Sequence, residues 1–186
     1  NILALTATAT PAVQDDICEQ LNIPKENMIV TSFARPNISF KVVNSPQNTP
    51  LYISEYIKAH QDKAGIIYTN TRKKVESLTD YLAKKGISVG AYHGGMDSSE
   101  RSQVQEAFQF DEFQVIVATN AFGMGIDKSN VRFVIHASSA RNMESYYQEA
   151  GRAGRDGEGS EAILIYHPGD LRQYRYFIDE SDADDK

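Results

Sequence analysis

Short apolar runs rich in β-branched residues alternate along this chain with longer stretches whose apolar positions recur every three or four residues. The runs Gly65–Thr69, Ser88–Tyr92, Gln114–Thr119, Val131–His136 and Glu161–Tyr166 read as strands, apolar on both faces as in a buried parallel sheet. Helices between them carry start and stop signals. Thr49 precedes Pro50 at a first helical position, and Asp97 with Glu100 three residues later forms a capping pair. The stretch Thr71–Lys85 ends in two lysines and Gly86, favourable charge at a helix C-terminus followed by a residue free to turn left-handed. Strand and helix in alternation predict an α/β fold with a mostly parallel sheet.

The first 35 residues are patterned differently. Ile2–Leu5 and Met28–Thr31 are candidate strands, and Thr10-Pro11 starts a helix that runs to about Leu21. That is too little to close a sheet, which needs at least about three strands or a covering layer. Arg35-Pro36-Asn37 breaks the chain, so we expect a segment 1–35, a main domain 36–178, and a solvated or disordered acidic tail 179–186. A chain that opens inside the apolar run Ile2-Leu3-Ala4-Leu5 is expected to be a piece of something longer. Its unpaired edges predict that residues 1–35 fold back on the domain or pair between chains, so self-association is expected through them.

Composition narrows the class. With 186 residues, 41% hydrophobic and 24% charged, the chain fits one ordinary domain plus an appendage. No apolar run approaches the roughly 20 residues that span a bilayer, no secretion signal opens the chain, and a cytoplasmic setting without a membrane partner is expected. A single cysteine, Cys18, makes no internal disulfide and no cysteine-rich zinc cluster, and its neighbours Val13, Ile17 and Leu21 suggest a packed helix face. His60, His93, His136 and His167 are scattered, without the close helical pair of a zinc site, so no metal site is expected. His136, ending an apolar strand, reads as a core residue. The net charge is −6, but five acids and one base in 179–186 contribute −4 of it. Arg72, Lys73, Lys74, Arg141, Arg152 and Arg155 leave room for a local basic patch.

Two glycine-rich stretches carry candidate chemistry. In Tyr146–Gly157, a helix begun near Asn142 puts Gln148 in its last turns, and Gly151, Gly154 and Gly157 permit tight backbone paths beside a ligand. Arg152 and Arg155 then project from the turn, and guanidinium groups suit charge on a transferring phosphoryl group. The alternative is surface pairing with Glu149, Asp156 or Glu158. The second stretch, Phe122–Ser129, fails as a phosphate-binding P-loop because Asp127 stands before Lys128. It fails as a dinucleotide fingerprint because Lys128 replaces the third glycine and a strand follows. What remains is Asp127, able to accept bonds from a ribose hydroxyl or to cap its own loop. Thr69-Asn70-Thr71-Arg72, Tyr92-His93-Gly94 and Thr119-Asn120 fall at C-terminal strand ends, where open parallel sheets bind ligands and small polar groups suit phosphate contacts.

In order along the chain, Leu3–Thr10, Ser32–Asn37, Ile66–Arg72, Ala91–Met96, Val117–Asp127 and Glu144–Gly157 resemble the RecQ family of superfamily-2 helicases. They match its motif III, interdomain junction, motif IV, the segment after it, motif V and motif VI. The resemblance implies an α/β, RecA-like three-layer sandwich of the P-loop NTPase type, mostly parallel, without the half that holds the P-loop. It implies ATP with Mg²⁺ in a cleft against an N-terminal RecA-like domain that supplies the P-loop and Mg²⁺ ligands. Single-stranded and duplex DNA are the partners it implies, and the chain alone is expected to be inactive. Gln148, Arg152 and Arg155 would face the nucleotide, with Arg155 as arginine finger, and Gly125 and Asp127 would touch the ribose. Thr69, Asn70, Arg72, His93, Gly94 and Thr119 would track DNA, and Thr6 and Thr8 would couple the two events. Ala140 departs from the proline the family usually carries before the arginine. The rival reading is a non-catalytic nucleic-acid-binding or scaffolding module.

Overall fold

The computed structural model describes residues 2–6, 9–30, 34–123 and 128–169. The chain divides into two compact units between Arg35 and Pro36. In the first, Thr10 caps helix α1 (Pro11–Gln20) by accepting from the Val13 amide, and Cys18 is buried. A short 3₁₀ turn, Lys25–Asn27, follows. The candidate strands do not form: residues 2–6 and 28–30 lack regular structure, and Thr31 lies outside the described residues. An apolar run becomes a strand only where a ladder partner takes its backbone groups, and the described part of this unit offers none.

The second unit runs β1 (Ile38–Asn44), α2 (Thr49–Lys58), β2 (Ala64–Tyr68), α3 (Arg72–Lys84), β3 (Val89–Tyr92), α4 (Ser98–Gln109), β4 (Val115–Ala118), β5 (Val131–His136), α5 (Met143–Ala150), β6 (Ser160–Tyr166). All neighbouring strands pair in parallel, in the order β1-β6-β5-β2-β4-β3. Alternate strand residues feed two cores. Ile66, Ile116 and Val134 meet Phe108 of α4 and Ala150 of α5, whereas Ile67, Val117 and Ile135 meet Ile53 of α2 and Leu78 of α3. The result is the three-layer, mostly parallel α/β architecture that the pattern predicts. Asp97 and Glu100 cap α4 reciprocally, and Thr71 caps α3. At α2 the cap is Asn48, so Thr49 already lies inside the helix. Among the described residues no helix is long and apolar enough to cross a membrane.

Strand β1 was absent from the sequence expectation, because an edge strand buries little: only Ile38 of Ile38–Asn44 is buried. It is pinned to its neighbour by Glu161, whose carboxylate accepts from Lys41 Nζ at 2.6 Å and from Tyr56 Oη at 2.9 Å. Partial burial alone would push the Glu161 carboxyl up, but these bonds outweigh it and hold the group below its ordinary value. A depressed folded pKa contributes stability that is present above the ordinary glutamate value, about 4.3, and lost as pH falls through the folded value. Glu161→Gln should therefore flatten the acid limb of the stability curve, measured by urea denaturation between about pH 3 and 6. Parallel curves for the two proteins would contradict the assignment.

Candidate functional site

The hydrogen-bond ladder continues past the strand ends. Thr69 N–H donates to Ala118 O at 2.8 Å, Thr119 N–H to Tyr92 O at 3.1 Å, and Ala137 N–H to Tyr68 O at 2.9 Å. Thr69, Asn70, His93 and Thr119 thus stand along one edge of the sheet. Thr71 accepts from the Lys74 amide at 3.2 Å, which places Arg72, Lys73 and Lys74, all exposed, in the first turn of α3. Cations there oppose the helix dipole, and a bound anion would relieve them. A Cβ on Gly95 would sit 2.9 Å from Arg72 Nη1, so the guanidinium rests against the exposed Gly94-Gly95 turn. His93 itself is buried and turned inward. Its Nδ1 accepts from Gly95 N–H at 3.2 Å, which leaves the ring hydrogen on Nε2, 3.3 Å from the Glu76 carboxylate. What it holds is the Gly94-Gly95 turn, against which the Arg72 guanidinium rests.

Behind this edge lies a small polar pocket lined by Asn70, Asn120, His136, Ser138, Arg141 and Glu149. Ser138 accepts from Lys74 Nζ at 3.3 Å and sits 3.5 Å from Asn70 Oδ1. No local motif marks Ser138, since its partners lie more than 60 residues away. His136 is fully buried, with Nε2 2.7 Å from Glu149 Oε2. A carboxylate only accepts, so this nitrogen carries the hydrogen.

Asn142 caps α5 through the Ser145 amide at 2.8 Å, and Gln148 is exposed in the helix's second half with its amide donating to Glu144. The two arginines differ. Arg152 is half-buried, and its Nη1 donates to Gly123 O at 2.6 Å. Arg155 is exposed, directly after Gly154 at φ 56°. Tyr68 Oη donates to the adjacent carbonyl, Phe122 O, at 2.9 Å. Burial pushes the Tyr68 phenol up, against the pull of the Arg152 guanidinium, so it stays a donor. Downstream, buried Lys128 anchors the same loop to the end of α4 through Asp111 at 2.6 Å. Glu149 is engaged by His136, and Asp156 by Arg132, whose bond holds the Asp156 carboxyl below its usual range. Gly151 closes α5 with ordinary helical backbone, so only Gly154 and Gly157 of the three glycines use left-handed space. Gly125, Asp127 and Thr8 lie outside the described residues, and Thr6 is exposed in the first unit.

Residues 49–157 match the profile of the helicase conserved C-terminal domain. The chain belongs to that family. Within it this helicase domain is of the RecQ type: it is 52% identical over 185 residues to the ATP-dependent DNA helicase RecQ of Bacillus subtilis, covering 100% of this chain and 31% of that protein. It is 45% identical over 180 residues to the RecQ-like DNA helicase BLM of Xenopus laevis, covering 95% of this chain and 13% of that protein. The helicase domain therefore spans under a third of the length of these curated relatives. Among solved structures, a DEAD box protein from Methanococcus jannaschii superposes with a TM-score of 0.67 at 28% identity, over 85% of this chain and 45% of that one. The helicase Lhr of Mycobacterium smegmatis, solved with ssDNA and AMP-PNP, gives 0.62 at 27% identity, over 72% and 20%.

In chemical terms the helicase domain presents guanidinium, amide and hydroxyl donors, a set that fits phosphate oxygens. Among its described residues no group of three or more His, Cys, Asp or Glu is disposed to hold a metal ion.

Proposed function

We propose that this helicase domain is the second motor domain of an ATP-dependent DNA helicase, facing ATP with one side and single-stranded DNA with another. Arg155 is the arginine finger that stabilises charge on the transferring γ-phosphoryl group, with Arg152 and Gln148 beside it. Thr69, Asn70, Arg72, Gly94 and Thr119 contact the DNA backbone, with His93 among them holding the Gly94-Gly95 turn. Gly125 and Asp127 take the ribose, and Thr6 and Thr8 belong to the hinge. The P-loop and Mg²⁺ ligands come from an N-terminal RecA-like domain. Exposed Leu3, Leu5 and Ile29 are the surface that such a domain, or a second copy of the chain, would cover. The observation that carries this reading is a single loop, leaving the strand-end edge at Thr119 and gripped at Phe122 and Gly123 from β2 and from the arginine segment.

The half-site account is tested on the chain alone. With ATP and Mg²⁺ it should show no turnover above background, and clear Mg²⁺-dependent hydrolysis would overturn it. Single-stranded DNA binding by the chain alone should be weak; sub-micromolar affinity with a steep salt slope would favour a stand-alone binding module instead.

A further inference from the structure

Tyr68 is the last residue of β2 and immediately precedes Thr69 and Asn70. It is 3% exposed, stacks on His136 of the neighbouring strand at 5.3 Å and 25°, and gives its hydroxyl to Phe122 O. His136 in turn bonds Glu149, whose backbone carbonyl accepts from the Arg152 amide at 3.2 Å just past the end of α5. Arg152 closes the circuit on Gly123 O, the carbonyl next to the one held by Tyr68. Tyr68–Phe122, His136–Glu149 and Arg152–Gly123 are buried or half-buried hydrogen bonds, joined through the Tyr68–His136 ring stack, and breaking one of these bonds leaves a group without its partner, which is costly in a low-dielectric interior. The circuit is not a fully paired packing device, since His136 Nδ1 and Arg152 Nε are buried without a partner among the described residues, and a core that needed only volume would fill these positions with apolar side chains.

We propose that Tyr68, with His136, is a positioning residue: it transmits displacement of the Thr69-Asn70 strand end to the motif VI arginines through Phe122–Gly123 on one side and Glu149 on the other. The proposal rests on the function proposed above and adds to it a route between the two ligands. Neither residue touches DNA or nucleotide in this role. When the strand end moves, the Tyr68 hydroxyl carries the loop carbonyls with it, and Arg152 must follow or release Gly123.

Tyr68→Phe in the full-length protein removes one oxygen and keeps the ring stack, so the fold is retained, as a melting curve would show. The ratio of DNA-stimulated to DNA-independent ATP turnover should fall about tenfold, the size of one buried hydrogen bond with its stranded partner. Affinity for single-stranded DNA should stay within about twofold, because the phosphate contacts are untouched. Glu149→Ala should lower the same ratio, and Glu149→Gln, which still offers His136 an acceptor oxygen, should restore most of it. A Tyr68→Phe ratio within twofold of wild type would overturn the relay. So would a parallel loss of DNA affinity and stimulation, which would place Tyr68 in the DNA site alone. If the wild-type protein shows no DNA-stimulated turnover at all, the proposed function fails first and the relay with it.

Discussion

Replacing Arg155 by alanine in the full-length protein is expected to lower DNA-stimulated ATP turnover by about a thousandfold or more while ATP affinity changes little. An arginine finger acts on charge that develops in the transition state, so its removal is felt in turnover rather than in ground-state binding. We assign this part to Arg155 rather than Arg152. Arg155 is exposed on a turn whose backbone is fixed, whereas Arg152 already donates to Gly123 O. The neighbouring Asp156 is engaged by Arg132. Arg155→Lys should recover only a minor part of the loss, because an ammonium lacks the planar fork that meets two phosphate oxygens at once. Steady-state turnover with saturating single-stranded DNA, beside equilibrium binding of a nonhydrolysable ATP analogue, separates the two effects. Turnover of Arg155→Ala within tenfold of wild type would remove the residue from the finger role.

Much of the fold was legible because the central strands are apolar on both faces. Val115–Ala118 is entirely buried and Val131–His136 nearly so, and such runs stand out wherever they occur. Strand β1 escaped because Phe40 and Val42 face solvent and the run follows a Pro-induced break, so it reads as loop until its partner β6 is known. The opposite error came from Ile2–Leu5, where apolar character alone suggested a strand that had no described partner. Motif positions told which residues reach the strand ends but not which way they turn. Nothing near His93 in sequence announces that Glu76, seventeen positions earlier, takes its ring hydrogen. Likewise the partner of Arg152 is a backbone carbonyl 29 residues away, which no side-chain pattern encodes. Tyr68 and Lys128 were passed over for the same reason: one looked like strand filling, and the other served only to exclude a P-loop.

The turn that presents Arg155 should also be the most sensitive glycine position of the site, and Gly154→Ala is expected to destabilise the chain by about 3 kcal/mol. Gly154 has φ 56°, where an L side chain costs about 1–2 kcal/mol. Space adds to this. A Cβ would lie 2.5 Å from Asn37 Nδ2, 2.6 Å from Ser160 Oγ and 2.7 Å from Glu158 O. The last of these is backbone and cannot rotate away. Asn37 cannot withdraw cheaply either, because its amide donates to Gly154 O at 2.8 Å and to Glu158 O at 3.1 Å, and each lost bond costs about 1 kcal/mol. Gly157 supplies the comparison. It has φ 85° but nothing within 4 Å of an added Cβ, so Gly157→Ala should cost only the conformational share, about 1–2 kcal/mol. The chain has no tryptophan and ten tyrosines, so denaturant unfolding can be followed by tyrosine fluorescence. Equal losses for the two variants would show that crowding against Asn37 and Glu158 does not hold the turn. A larger loss for Gly154→Ala, accompanied by reduced turnover in the full-length protein, would tie the strained backbone directly to the placement of Arg155, since the two residues are adjacent and share one turn.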